Sequence, residues 1–322
     1  MLHPGTPTFD DVLEARQRIQ PYLHATLLQN YQSLSRLIGC DAWVKHENHL
    51  PTGAFKVRGG INLMSQLSQE ERHRGVIAAS TGNHGLSIAY AAKIYGVKAI
   101  ICVPQAANPA KVESMMDLGA EIISHGRDFD EAREYCEQLA KDKGYRYIHS
   151  GNEPLLIAGV ATATVEILEE QPCIDVLLVP LGGGSGAAGA CLAAKGLHSK
   201  VEIIAVQSEA APAAFRSWKE HRLVEDRMAT WAEGLATRTA FELPQQILWE
   251  LLDDFVLVTE DELCGAARLM IEKTRNLVEG AGAAPLAAAL KLRDRLLGRR
   301  VALMCTGGNL SLLQLKEVLN KN

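Results

Sequence analysis

No stretch of the 322 residues approaches the ~20 consecutive apolar residues of a membrane span. The N-terminus also lacks the basic segment followed by an apolar one that marks a secretory leader. No membrane partner and a cytoplasmic setting are the expectation. Nor is there a block of Lys and Arg: 33 basic against 38 acidic residues leave a net charge of −5, which argues against a nucleic-acid groove. The seven cysteines (Cys40, Cys102, Cys136, Cys173, Cys191, Cys264 and Cys305) are scattered, with no C-x-x-C pair and no histidine pair at ligand spacing. Neither a disulfide framework nor a bound metal is expected, and small-molecule chemistry remains.

What is present is an ordinary soluble composition, 47% hydrophobic, on a length suited to two lobes. Short runs rich in β-branched residues recur at 42–45, 75–79, 98–103, 120–124, 176–180, 201–206, 255–258 and 300–305. These are the pattern of strands buried on both faces of a parallel sheet. Helical spacing recurs between them at 84–95, 110–118, 129–143, 155–170, 260–277 and 285–297. Strict alternation implies an α/β fold, with open, twisted, mostly parallel sheets and helices on both faces. Such folds bind ligands in the loops at the carboxyl ends of strands. No repeat or Pro/Gly/Ser linker divides the chain, so the lobes are expected to be interwoven. Residues 208–251 have weak periodicity, carry Trp218, Trp231 and Trp249, and read mostly as a surface excursion.

Four loops carry unusual residues. After 176–180 the run Leu181-Gly182-Gly183-Gly184-Ser185-Gly186 leads into a small-residue helix. Converging backbone N–H groups at a helix N-terminus suit a phosphate. The same stretch satisfies G-x-G-x-x-G through Gly184, Gly186 and Gly189, with Glu209 about 20 residues further on, so a dinucleotide-binding oxidoreductase stays open at this point. Near the N-terminus, Thr52-Gly53-Ala54-Phe55-Lys56-Val57-Arg58-Gly59-Gly60 sets a lysine between an aromatic and an aliphatic residue. A desolvated lysine has a lowered pKa, and its free amine can form a Schiff base with an aldehyde. After 75–79 comes Ser80-Thr81-Gly82-Asn83-His84-Gly85, whose hydroxyls and amide either cap a helix or receive a carboxylate or phenolate oxygen. The last strand runs into Cys305-Thr306-Gly307-Gly308-Asn309, another polar, glycine-rich exit.

In this order, and over nearly the whole chain, the four segments resemble the fold-type II pyridoxal-phosphate enzymes, a two-lobed, tryptophan synthase β-like fold. The branch they resemble holds the threonine/serine dehydratases and serine racemase. A dinucleotide enzyme has no use for three of the four. The resemblance implies pyridoxal 5'-phosphate as cofactor and Lys56 as its Schiff-base lysine and the base for the Cα proton. Gly182, Gly183, Gly184, Ser185 and Gly186 would hold the phosphate, Phe55 would pack beside the cofactor, and Asn83 would donate to its phenolic oxygen. Thr306, followed by Gly307, would present a hydroxyl to the pyridine nitrogen. Ser80, Thr81, Gly82, Asn83 and His84 would gather the substrate carboxylate. Glu279 would support the ring's surroundings, Gly234 would belong to the loop over the substrate end, and Glu233 would bond the substrate hydroxyl. A hydroxyl does not keep the pyridine nitrogen protonated, so the ring is a weaker electron sink and β-elimination fits better than transamination.

The activity implied is dehydration and deamination of a 3-hydroxy amino acid, L-threonine or L-serine first, to a 2-oxo acid and ammonia, by a homodimer. Residues 1–55 and 150–322 would form the large cofactor-binding lobe and 56–149 a smaller mobile one that closes over the site. Ala54 replaces a serine common in relatives, and His149-Ser150-Gly151-Asn152 replaces a histidine-proline start. These changes would shape a different substrate side pocket, and the Ala54 and Ala161 positions would widen the site for a bulkier substrate such as a 3-aryl-serine or 3-hydroxyaspartate. Thr81 stands where racemising relatives carry a catalytic serine; its hydroxyl could transfer a proton, although its methyl restricts the rotamers. Of two acidic cation ligands in relatives only Glu209 is matched, with Phe215 in place of the other. An effector-binding domain is not expected in the few residues that follow the T-G-G-N segment.

Overall fold

The structure, a computed structural model, describes residues 5–320. Among the described residues the strands are β1 (Leu28–Asn30), β2 (Asp41–His46), β3 (Val76–Ala79), β4 (Ala99–Val103), β5 (Glu121–Ser124), β6 (Arg146–Tyr147), β7 (Val176–Pro180), β8 (Glu202–Ser208), β9 (Asp254–Val258) and β10 (Arg300–Cys305). They form a six-stranded sheet in the order β1-β2-β10-β7-β8-β9 and a four-stranded sheet in the order β5-β4-β3-β6. Every pairing is parallel except β1 with β2. The strands expected from the sequence are all present, and only the very short β1 and β6 escape its pattern. Separate apolar clusters pack on the two faces of each sheet, which gives the expected α/β layering.

Helix Pro154–Glu170 joins the two sheets, packing against both helix Lys56–Ser65 and helix Ser185–Gly196. Small residues allow the approach: a Cβ added at Gly159 would lie 2.7 Å from the Arg58 carbonyl oxygen. Ala161 lies in this buried contact, its backbone against Gly189, so it does not widen a substrate pocket. Two expected helix boundaries move. The helix expected to reach 277 stops at Thr274, because Arg275 closes it at φ +63. The helix expected to start at Pro285 instead spans Gly280–Lys291 with Pro285 inside; a proline just past the first turn forfeits a single intrahelical bond. Segment 208–251 is more than a surface excursion. Its helices Ala213–Glu220 and Glu242–Leu251 bury Ala214, Ile247 and Leu248 in the core, and the residues between them border the cleft described next.

Candidate active site

Lys56 opens helix Lys56–Ser65, and the turn before it is hung on the exit of β10. Phe55 N donates to the Thr306 carbonyl (2.9 Å), Gly308 N donates to Gly53 O (2.9 Å), and Ala54 bridges to Gly307. The Lys56 amine donates to Ser150 O (3.0 Å) and Ser185 Oγ (2.9 Å). No carboxylate is among these partners, and withdrawal from water lowers the pKa to about 8. The residue that the sequence marked as a potential free amine is therefore held as one at mildly basic pH.

Ser185 begins the helix that follows β7, after the glycine loop. Gly184 stands at the N-cap with φ +86, a conformation few residues besides glycine accept, and no side chain caps the helix. The first turn therefore keeps its N–H groups for a ligand. A Cβ at Gly182 would come 2.2 Å from the Gly234 carbonyl oxygen, so the loop is backed by the 233–235 turn. The Phe55 ring lies against Gly186.

The exit of β3 is organised around two interlocked amides and one carboxyl. Asn83 donates through Nδ2 to Glu279 Oε1 (2.7 Å), and its Oδ1 accepts from Asn309 Nδ2 (2.7 Å), which also reaches Thr52 O (2.8 Å). Burial pushes the Glu279 carboxyl up to about 7, against the Asn83 bond and the more distant Lys111, which favour its charge. Ser80 is occupied by its own turn: its Oγ accepts from Gly82 N (3.2 Å) and Gly85 N (2.9 Å). His84 is buried, and burial, with a smaller repulsion from Lys56, lowers its pKa to about 3. Its Nε2 meets Ile148 O (3.2 Å) and its Nδ1 has no partner. A neutral imidazole donating through Nε2 presents Nδ1 as an acceptor, so the ring suits a ligand N–H or O–H better than a bare carboxylate. Thr81 and Gly82 stay half-exposed at the start of helix Asn83–Tyr95.

The structure thus brings Phe55, Lys56, Asn83, Ser185, Glu279, Thr306 and Gly307 to one cleft between the sheets; Thr306 is buried there, and Glu279 N donates to Gly307 O (3.1 Å). Glu233 is placed differently from the sequence expectation. Its carboxylate receives Lys111 Nζ at 2.5 Å and Gln314 Nε2 at 3.1 Å, beside Gly82, rather than standing free for a substrate hydroxyl. Lys111, Gln314 and Asn309 had no role in the sequence reading. The first two lie on amphipathic helices, Pro109–Asp117 and Leu312–Asn320, where nothing distinguishes them from surface residues.

Comparison with known proteins agrees with this geometry. The model of the pyridoxal-phosphate dependent enzyme family matches residues 19–307. An L-threonine ammonia-lyase of Thermotoga maritima is 36% identical over 316 residues, covering 98% of this chain and 78% of the relative. Serine racemase from Dictyostelium discoideum superposes with a TM-score of 0.89 at 32% identity, over 95% of this chain and 99% of that one. The processed form of threonine deaminase isoform 2 from Solanum lycopersicum gives 0.90 at 28%, over 98% of this chain and 95% of that one. The dinucleotide alternative for the glycine loop is set aside by this match, and the chain belongs to the family of pyridoxal-phosphate dependent enzymes.

Proposed function

We propose that this chain is a pyridoxal-phosphate-dependent ammonia-lyase that converts L-threonine, and with it L-serine, to a 2-oxo acid and ammonia. The observation that carries the reading is the Lys56 amine, 2.9 Å from the first hydroxyl after the glycine loop and poised to lose its proton near pH 8. It stands in a chain whose relatives over nearly its full length include threonine ammonia-lyases. The residues fit the cofactor: an uncapped helix start behind three glycines receives a phosphate monoester, and the amine lies beside it. When bound, the cofactor supplies an aldehyde for Lys56 and a ring that withdraws electrons from Cα.

Each protein group then has a definable task. Lys56 takes the Cα proton. Asn83, whose oxygen accepts from Asn309 and one of whose amide hydrogens goes to Glu279, has one N–H left to offer an oxyanion such as the phenolate. Backbone at Thr81 and Gly82, at a helix N-terminus, receives the substrate carboxylate. The buried Thr306 hydroxyl suits an unprotonated pyridine nitrogen. The test is to supply cofactor to purified protein, add L-threonine, L-serine, a 3-aryl-serine and 3-hydroxyaspartate in turn, and follow 2-oxo acid and ammonia. Release from threonine supports the proposal, release only from the larger substrates shifts it to a bulkier 3-hydroxy amino acid, and release from none overturns it. A second reading, racemisation, draws on the likeness to serine racemase and on the half-exposed Thr81. Accumulation of D-serine is its signature.

Loading of the protein with cofactor is expected to follow the free amine. Its rate should climb with pH and level off above about 8, the value to which desolvation lowers Lys56. Stopped-flow absorbance on cofactor-free protein measures this, and an inflection near an ordinary lysine value, about 10.4, would contradict the desolvation argument.

We also propose that residues 56–149 supply the smaller lobe of a cytoplasmic homodimer, its mobile part being the segment with strands β3 to β6, since Arg58 fixes helix Lys56–Ser65 to the other lobe. In support, strands β3 to β6 form a sheet of their own, no described helix is long and apolar enough to cross a membrane, and exposed Leu297, Leu312 and Leu313 offer apolar surface to a second copy. Light scattering tests the dimer. The Lys111–Glu233 pair then spans the lobes at the mouth of the cleft. Because Glu233 is exposed, Lys111→Met should change stability by no more than about 1 kcal/mol while raising KM through a looser mouth. Melting curves and steady-state kinetics separate the two effects, and an unchanged KM would sink the clamp.

A further inference from the structure

The glycine loop is braced from outside by an aromatic residue that belongs to none of the four motifs. Phe241 occupies the N-cap position of helix Glu242–Leu251. Its ring is wedged between two glycines from distant parts of the chain: a Cβ at Gly183 would lie 2.3 Å from Phe241 Cε2, and one at Gly151 would lie 2.3 Å from Phe241 Cδ2. Neither position tolerates a larger residue beside that ring. A Cβ at Gly151 would also sit 3.1 Å from the Gly183 carbonyl oxygen, so the two backbones flank the ring together.

The same ring meets His149 edge to face, with centroids 4.7 Å apart and planes at 82°. His149 Nδ1 accepts from Gly151 N (3.1 Å) and Asn152 N (3.0 Å), and Asn152 Oδ1 accepts from Leu243 N (3.1 Å). Loop 149–152 is therefore a closed turn fastened to residues 241–243. Both loops that Phe241 separates supply the acceptors of the reactive amine, Ser150 O from one and Ser185 Oγ from the other.

We propose that Phe241 is a positioning residue for the phosphate end of the cofactor: it sets the spacing between loops 149–152 and 182–186 and thereby holds the glycine-loop N–H groups ready for a phosphate monoester. The physical need is clear. Three consecutive glycines have no side chains to restrain them and lose more conformational entropy on ordering than any other residues. A ligand that must order them binds more weakly than one that finds them arranged. A phenyl ring supplies that restraint from a side chain with few rotatable bonds. The proposal rests on reading 182–186 as the phosphate site.

The test compares pyridoxal 5'-phosphate with pyridoxal, which carries the aldehyde without the phosphate, by absorbance and fluorescence titration of cofactor-free protein. Phe241→Ala should weaken binding of the phosphorylated aldehyde roughly tenfold or more through lost pre-organisation, while pyridoxal affinity changes less than about threefold. Phe241→Tyr should restore most of the preference. Phe241→Leu, closer in volume, serves if the alanine variant fails to fold, and melting of the unliganded proteins reports on folding. An equal loss for both ligands, or no loss for either, overturns the proposal. Wild-type protein keeps the underlying reading separate. If it shows no preference for the phosphorylated aldehyde, and inorganic phosphate does not compete with that aldehyde, the phosphate site itself is wrong. If it shows both and the variants keep them, only the role of Phe241 fails.

Discussion

Lys56→Ala is expected to abolish turnover of every 3-hydroxy amino acid, by at least the roughly 10²- to 10⁴-fold that one positioned proton carrier contributes, and to remove the absorbance band of the loaded protein. The surroundings explain why nothing takes its place. His84 and His149 are held neutral by burial, with pKa values lowered to about 3 and about 4. Both are too weak as bases to accept a Cα proton. Lys111 is engaged by Glu233, and Glu279 is tied to Asn83. Lys56→Arg should be no better, because a guanidinium keeps its proton at any working pH. The fold should survive both changes, since the amine's acceptors are a carbonyl and a hydroxyl rather than a buried carboxylate that would be stranded. Spectra, oxo-acid assays and melting curves on the same samples decide it. Turnover within tenfold of wild type in Lys56→Ala would remove the lysine from the chemistry.

The parts of this site that could be read in the sequence are those that are local. Each strand exit keeps its signature within about ten residues: the glycines before Ser185, the amide and hydroxyls before helix Asn83–Tyr95, and the threonine after β10. The clasp that joins them could not be read so. Asn83 meets Glu279 across 196 positions and Asn309 across 226, and Lys111 meets Glu233 across 122. Such pairings exist only once the two sheets are assembled. Helix Lys56–Ser65 was hidden for a related reason, because Gly59 and Gly60 near its middle disfavour a helix on propensity. Packing overrides them: side chains there would strike the Leu156 carbonyl at 2.9 Å and Ser87 Oγ at 2.3 Å. Phe241 shows the same limit, since its worth lies in the space between Gly151 and Gly183.

Arg58→Met is expected to destabilise the fold by about 3–5 kcal/mol, the cost of breaking a buried ion pair from one side, although Arg58 touches neither glycine loop nor cleft. Two residues after Lys56, its buried guanidinium donates to Glu47 through Nε (2.6 Å) and Nη2 (2.8 Å) and to Glu166 through Nη1 (2.6 Å) and Nη2 (2.8 Å). Lys45 completes the cluster at 2.5 Å from Glu166, and Thr26 donates to Glu47 (2.6 Å). Two cations thus balance two anions, tying β2, helix Lys56–Ser65 and helix Pro154–Glu170 together. Burial alone would raise the Glu166 pKa, but Arg58 and then Lys45 outweigh it and hold the carboxyl below the usual range. In the wild type this contribution is present above the unfolded-state value, about 4.3, and is lost as pH falls through the lower folded value. Without Arg58 the sign should reverse. Two buried carboxylates then share the single Lys45, an excess of negative charge that uptake of a proton relieves, so the variant should regain ground on the wild type as pH drops from 7 towards 5. Denaturation at both pH values measures the difference, and a gap that is small at pH 7 or widens on acidification would show that Arg58 does not neutralise these carboxylates. A loosened helix start should also weaken cofactor retention in the variant, because the first turn of helix Lys56–Ser65 carries both Arg58 and Lys56.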